Sequence, residues 1–232
     1  MTIHDPKLVK ATSIASAVRD EVNHDPSVQD GLARDYINLS ALAEVILPRI
    51  GEKTGTAVKK ESVVTALKRL RGAYDPLVQE AGRVVADSVV NVRTHVSKMS
   101  VEKTRKALQA VSAMLSTHQE DFIQVSESLS SITLIFDQRL HGRVRRELGG
   151  AEILEEGDDY AAMTVQSPKS IISTPGCLIS FYNQLSRRHV NIEDTVSCFT
   201  DTIIVVKMKD VGKAFDALTE LINEERRSLG EG

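Results

Sequence analysis

The feature that most constrains the fold is a repeated order of strand and helix patterns after about residue 84. β-Branched runs and apolar helical stripes follow one another as strand, helix, strand, strand, helix and strand up to residue 156. The same order starts again near residue 161 and lacks only its last strand. A repeat of about 70 residues is too long for a solenoid and suits two split βαβ units. The sequence therefore predicts two ferredoxin-like βαββαβ units in an α+β protein.

The strands of both units are predicted from β-branched runs bounded by polar residues. These runs cover residues 89–96, 122–125, 132–136 and 151–154 in the first unit, and residues 161–165, 190–198 and 202–206 in the second. Leu178, Phe181, Tyr182 and Leu185 have the i, i+3, i+4 and i+7 spacing of a helix between the first two strands of the second unit. Asp158 and Asp159 are expected in a polar linker between the units. We thus predict domains at residues 84–156 and 157–232.

Residues 1–83 predict a helical domain, since no β-rich run occurs there. Asp5-Pro6 and Asp25-Pro26 pair a helix-capping residue with a proline at the first helical position, and Asn38 can cap a third helix. Pro48 is expected to bend or end that helix, and residues 51–56 to form a loop. A final stripe of Val63, Ala66, Leu67 and Leu70 predicts another amphipathic helix.

Composition limits the classes of protein to which the chain could belong. Aromatic residues make up only 4% of its 232 residues and Trp is absent, so its cores must be aliphatic. No basic region followed by an apolar run begins the sequence, and no stretch reaches the roughly 20 apolar residues of a membrane span. Two cysteines do not form a disulfide framework. We expect a cytoplasmic protein.

Pro175-Gly176 stands between a predicted strand and a predicted helix, and Asn191-Ile192 precedes the next strand. A glycine lets a ligand approach the backbone, and the free N–H groups of a helix N-terminus attract a carboxylate. This layout suits the capture of a small zwitterion. A strand-to-helix turn without any ligand is the alternative.

Residues 158–225 resemble the ACT domain, a small-molecule-sensing module, in Pro175-Gly176, the helix pattern, Asn191-Ile192 and the strand around Ile203. The stretch 191–206 is similar to the regulatory ACT pair of aspartokinases. The resemblance implies an amino acid bound between two ACT units, one offering the first strand-to-helix loop and the other the Asn. The ligand-binding residues that it implies are Ser173, Thr174, Pro175, Gly176 and Cys177 from the loop, with Asn191 from a partner unit.

Two differences from the family bear on this site. Ser173 stands where the family often has Asp, Asn or His, so it offers a ligand ammonium group an oxygen without formal charge. The first unit resembles the family in element order only, with no Pro-Gly before its first helix and Asp121-Phe122 in place of Asn-Ile. We expect it to be a degenerate ACT-like unit that pairs with the second, within the chain or across a dimer.

The N-terminal region resembles a helix-turn-helix, which beside ACT domains implies a regulator of amino-acid metabolism. Between residues 49 and 71 seven basic residues face two acidic ones, a net charge of +5. Phosphate contacts need such a basic helix. The candidate DNA-binding residues are Lys59, Lys60, Lys68, Arg69 and Arg71. A solvated helical face or a docking surface for an enzyme is the alternative.

The sequence predicts neither catalysis nor a cofactor. It contains no GxGxxG, Walker-type loop or GxSxG, and its six histidines and two cysteines form no metal-ligand spacing. Our hypothesis is a non-enzymatic, homo-oligomeric amino-acid sensor that controls transcription through its helical domain. The alternative is a regulatory subunit that docks on an amino-acid biosynthetic enzyme such as an aspartokinase-like kinase. A third possibility is an ACT-containing enzyme without its catalytic domain.

Overall fold

The computed structural model describes residues 12–73 and 78–230, except the side chains of residues 78 and 79. The chain divides into two compact units, Met1–Leu77 and Val78–Gly232. The predicted mixture of a helical N-terminal region and a following α+β region is confirmed. Within the described residues no helix has the length and apolar character needed to cross a membrane.

The described part of the first unit contains four helices. They are α1 (Ile14–Asn23), α2 (Pro26–Ala33), α3 (Leu39–Thr54) and α4 (Lys60–Leu70). Asp25 and Asn38 cap α2 and α3 through their side-chain oxygens, as predicted. The stripe on α4 is buried in a core that it shares with α1 and α3. The Asp5-Pro6 cap lies outside the described residues.

The structure corrects two expectations about α3. Pro48 lies inside the helix, which continues to Thr54, so Pro48 does not end it, and residues 51–54 are helical where a loop was expected. A bend at Pro48 stays a prediction. A proline removes one backbone hydrogen bond, but Ile46 and Ile50 on either side of it are buried in the core. This burial favours the continuous helix. The turn comes at Gly55, which has the left-handed φ of 65° that a helix-ending glycine adopts.

The second unit is one antiparallel sheet with helices. Its elements are α5 (Val78–Ala86), β1 (Val89–Glu102), α6 (Arg105–Thr117), β2 (Ile123–Glu127), β3 (Ser131–Asp137), α7 (His141–Glu147), β4 (Ile153–Gln166), α8 (Cys177–Arg187), β5 (Asp194–Cys198), β6 (Asp201–Lys207) and α9 (Val211–Ser228). The strand order is β2-β3-β1-β4-β6-β5. Helix α5 was not predicted.

The two predicted repeats share their central strands. β4 unites two runs that we expected to be separate, so Asp158 and Asp159 lie within a strand and the linker prediction is wrong. Residues 89–93 of β1 pair with residues 162–166 of β4, and thereby take the place of the last strand that the second repeat lacks. The remainder of β1 pairs with β3 and with the first part of β4. The domain boundaries at residues 84 and 157 stay a proposal.

The sheet folds over itself, so that its two halves meet through the face without helices. Helices α6 and α7 cover the first half, and α8 and α9 cover the second. On the opposite face a separate cluster joins residues of both halves, among them Val96, Ile135 and Val205. The two outer strands of the sheet order, β2 and β5, also come into contact: Cys198 Sγ on β5 lies 3.9 Å from Gln124 Oε1 on β2. A register shift in β1 between Arg93 and Val96, with His95 at a φ of 57°, lies where the strand passes between the halves.

Candidate functional site

The predicted ligand-binding loop lies between β4 and α8. After β4 the chain makes one 3-10 turn, Lys169–Ile172, and then enters α8 through Gly176. The Thr174 hydroxyl donates a hydrogen bond of 2.8 Å to the Ser170 carbonyl, and the Ser173 hydroxyl donates one of 3.3 Å to the same oxygen. Both hydroxyl oxygens can still accept a hydrogen bond from a ligand.

Gly176 begins α8 with a backbone conformation that favours glycine, φ 92° and ψ −15°. No side chain caps the helix, and its first backbone hydrogen bond runs from the Ser180 N–H to the Gly176 carbonyl. Within the described residues the N–H groups of Cys177, Leu178 and Ile179 have no backbone acceptor. Three free N–H groups and the positive end of the helix dipole are suited to a carboxylate.

Cys177 contributes to the loop through its backbone, because its side chain is buried. Its thiol donates to the Thr174 carbonyl at 3.3 Å and packs against Ala81 and Val84 of α5. Burial raises the pKa of this thiol. The side chain is therefore part of the wall behind the loop, while Ser173 and Pro175 are exposed.

Asn191 lies at the other end of the same half of the sheet. The strand register places Cys198 opposite Asp201, and Asp201 opposite Gln166, which is the end of β4 that leads into the loop. Asn191 precedes Asp194, at the far end of β5. Its amide donates a 2.9 Å hydrogen bond to Glu193 Oε1. A single chain thus brings the five loop residues together and leaves Asn191 away from them.

Sequence reasoning missed two contacts of this site. The first is the packing of Ala81 and Val84 of α5 against Cys177. The apolar spacing of Ala81, Val84 and Val85 could have indicated this helix. The second contact is the Lys98 ammonium group of β1, which donates a 3.2 Å hydrogen bond to the Glu193 carbonyl beside Asn191. No local pattern could have indicated it, since 95 residues separate the two positions.

Acidic neighbours neutralise much of the predicted DNA-binding patch. Lys60 pairs with Glu44 at 2.7 Å and Arg71 with Asp35 at 2.5 Å. Arg49 and Lys53, also counted in the patch, both pair with Glu21. Lys59, Lys68 and Arg69 are exposed and have no ion pair within the described residues. A helix-turn-helix is not confirmed.

The part of the chain that the structure describes contains no candidate metal site. There, no group of three or more His, Cys, Asp or Glu side chains could hold a metal ion. Cys177 is buried and Cys198 exposed, and both are free thiols.

Comparison with known proteins finds a similarity to ACT domains in the second half of the chain. A family model described as ACT domain matches residues 155–220, which include the loop and Asn191. No curated protein matches the sequence. The strand-to-helix loop is thus part of a segment that is similar to a known family.

The structure is also similar to part of an aspartate kinase and to a regulatory subunit of aspartate kinase. The aspartate kinase of Clostridium acetobutylicum, an allosteric enzyme, aligns with a TM-score of 0.51 and 17% identity, over 58% of this chain and 34% of the kinase. The regulatory subunit of aspartate kinase from Thermus thermophilus aligns with a TM-score of 0.48 and 11% identity, over 57% of this chain and 95% of that subunit. The chain therefore spans about a third of the length of the Clostridium enzyme. At this identity the likeness shows the fold alone.

Proposed function

We propose that the protein is a non-catalytic, amino-acid-sensing regulator whose effector binds between the ACT-like units of two copies. The observation that carries this proposal is the uncapped N-terminus of α8 behind Gly176, within the segment that the ACT model matches. The N–H groups of Cys177, Leu178 and Ile179 would receive the effector's carboxylate. The hydroxyl oxygens of Ser173 and Thr174 would accept from its ammonium group. Pro175 and Gly176 would hold the backbone in place.

The sixth residue, Asn191, would come from the second copy. β5 is an outer strand of the sheet, so its free side can pair with β5 of another copy. In an antiparallel two-fold pair the Cys198 end of one strand lies beside the Asp194 end of the other. The loop of one copy then approaches the partner's Asn191, whose side-chain oxygen can accept from the effector. Two equivalent sites per dimer follow from the symmetry.

Helix α5 supplies a route from the effector to the helical unit. It packs on the loop through Ala81 and Val84, and it follows directly after that unit in the chain. An effector that binds one loop position more tightly than another shifts the equilibrium between the corresponding positions of α5. Regulation of amino-acid metabolism would require this coupling.

The proposal predicts that one or a few free amino acids stabilise the protein. At 100 times its dissociation constant an effector should raise the free energy of unfolding by about 2.7 kcal/mol. The measurement is thermal unfolding with each of the twenty amino acids in turn. The substitution Asn191→Ala should abolish the shift, and Asn183→Ala, an exposed amide on α8, should leave it unchanged.

Gly176 offers a second, matched pair of variants. Gly176→Ala places a Cβ at a left-handed φ beside the free N–H groups, so we expect the effector shift to disappear. Gly150→Ala imposes the same kind of strain at a φ of 86°, in open space and away from the loop. It should keep the shift. A protein that no amino acid stabilises would contradict the proposal and leave the ACT-like units as scaffolding.

Two versions of this function differ in what the helical unit binds, DNA or an enzyme. Lys59, Lys68 and Arg69 are exposed cations that form no ion pair with the residues that the structure describes, which favours a polyanion such as DNA. Docking on a biosynthetic enzyme is the alternative. For DNA, log K should fall with log salt by about 0.9 per phosphate contacted. Fluorescence anisotropy of a labelled duplex measures this slope, and reversal of the three charges should abolish it. Duplex binding that does not depend on salt would favour the alternative, in which the helical unit docks on a biosynthetic enzyme.

A further inference from the structure

The first part of β1 has a free backbone edge. Residues 89–93 pair with β4 on one side, whereas the register with β3 on the other side begins only at Val96. No described strand occupies the open side of residues 89–93, and no further backbone hydrogen bond in the described chain involves them. The edge belongs to the second half of the sheet and lies opposite to its other border, β5.

Two clefts flank this edge, one on each face of the sheet. The cleft on the helix-covered face has about 500 Å³, and it is lined by Val90 and Val92 of β1 with Val211 and Phe215 of α9. The cleft on the opposite face has about 460 Å³ and contains residues of β1, Phe122 and Thr164. Because strand side chains alternate between faces, an added strand would place successive side chains into the two clefts in turn.

The edge lacks the charges with which strand edges avoid pairing. Its sole charged residue, Arg93, forms an ion pair with Asp137 at 3.0 Å and lies over the Phe122 ring at 4.8 Å. The corresponding open side of β4, residues 153–159, carries four carboxylates: Glu155 and Glu156 are paired with Lys98 and Arg145, whereas Asp158 and Asp159 form no ion pair within the described residues. Inward or flanking charges of this kind block edge pairing. The β4 edge is therefore protected, and the β1 edge is open to a neighbour.

We propose that the edge of residues 89–93 pairs with the same edge of a second copy, in an antiparallel two-fold arrangement. The two-fold symmetry restricts the register of this pairing. Residues directly opposite each other in an antiparallel pair point to the same face, and side chains alternate between faces along each strand. The two-fold axis must therefore place one residue opposite its own copy, and not opposite the copy of its neighbour in the sequence. The regular segment has Asn91 at its centre, and beyond it the register shift and the positive φ of His95 end the regular pairing.

This register is self-complementary on both faces. Val90 of each copy would lie opposite Val92 of the other, extending the apolar cleft next to Val211 and Phe215. The polar face would place the two Asn91 side chains opposite each other and Val89 beside Arg93. Directly opposite residues of an antiparallel pair have Cβ atoms about 4.5–5.5 Å apart, so the Val90 and Val92 side chains of the two copies would be in contact. The half-exposed Val89 and Val92 would then become buried.

This contact is independent of the proposed amino-acid site, which uses the opposite border of the same half-sheet. Experiments could therefore contradict the contact at β1 and still support the amino-acid site at β5, or the reverse. With both in use, a dimer formed through β5 would associate through β1 into a larger assembly. With the β1 edge alone, the protein would be a dimer.

Cysteine crosslinking tests the register. In a Cys198→Ser background, Asn91→Cys places two thiols opposite each other across the axis, where cross-strand Cβ atoms lie about 4.5–5.5 Å apart, at the upper limit of disulfide geometry. We expect a disulfide-linked dimer of the full chain under mild oxidation. Asp158→Cys, on the acidic edge of β4, should not crosslink. Equal crosslinking of the two variants, or none at position 91, would overturn the proposal.

Sedimentation provides the second readout. Val92→Lys introduces a charge at the centre of the apolar contact, so the mass of the assembly should fall by half. Val45→Lys, at an exposed valine of α3, should retain the mass of the parent. If Val92→Lys and the parent have equal mass, the second copy is the wrong occupant and the edge is left for a foreign strand. The thermal response to amino acids, measured in parallel, reports on the other site.

Discussion

Phe181→Ala should lower the free energy of unfolding of the second unit by about 3–5 kcal/mol. Phe181 is fully buried, and its ring packs in the core formed by α8, α9, β4 and β6. Truncation removes most of a large apolar side chain and leaves a cavity that the sheet and two helices cannot close. Chemical denaturation followed by circular dichroism measures the loss.

Ile179→Ala on the same helix is the matched control for this substitution. Ile179 is 55% exposed, so its truncation should change stability by less than about 1 kcal/mol. The first unit has a core of its own, so its transition should be unaffected by either substitution. Similar losses from the two variants would mean that α8 does not pack on the sheet through Phe181.

Lys98→Met should destabilise the second unit by about 3 kcal/mol. The Lys98 side chain is 9% exposed, and its ammonium group lies 3.0 Å from Glu155 and 3.6 Å from Asp194, so it joins the two halves of the folded sheet. Removing one member of a buried ion pair leaves its partners without compensation and costs about 3–5 kcal/mol. The lower value applies because Glu155 is half exposed. Denaturation at pH 7 provides the measurement.

Lys103→Met is the matched control, since Lys103 pairs with Glu127 at the surface of the same unit. Exposed ion pairs contribute less than about 1 kcal/mol. A loss as large as that of Lys98→Met would show that burial is not the cause.

The contribution of Lys98 should also depend on pH. Burial lowers the pKa of Lys98, but the hydrogen bond to Glu155 and the charges of Glu155, Asp194 and Tyr160 outweigh it, so the net pKa lies above the ordinary 10.5. A group with a raised pKa stabilises the folded state below the ordinary value, and the effect is lost as the pH rises through the shifted one. The difference between parent and Lys98→Met should therefore be constant near neutral pH and shrink above about pH 10.5. A difference that grows there would contradict the ion pair.

The candidate loop could be predicted because its signal is local. Pro175-Gly176 between a strand and a helix indicated a turn with a special backbone conformation, and Gly176 does begin α8 at positive φ. Caps such as Asp25 and Asn38 could be predicted for the same reason, since each acts on N–H groups two or three residues away. Whether the loop binds an amino acid remains a prediction.

The path of the central strands could not be predicted from local patterns. β4 contains four acidic residues within five positions, Glu155, Glu156, Asp158 and Asp159, which is typical of a linker and not of a strand. It stays extended because β1 pairs with it along most of its length and Lys98 and Arg145 bind its carboxylates. These partners lie elsewhere in the chain. In α3 likewise, the core around Ile46 and Ile50 outweighs Pro48.

The sequence by itself determined the class of the fold, the capped helices, the strand-to-helix loop with its glycine, and the similarity of residues 158–225 to ACT domains. Only the tertiary structure decided that β1 completes the second half of the sheet, that Asn191 lies at the far end from the loop, and that acidic partners neutralise Lys60 and Arg71. The physical reason is range. Capping, backbone conformation and periodicity act over a few residues, whereas strand partners, ion pairs and burial depend on residues that meet only when the chain is folded.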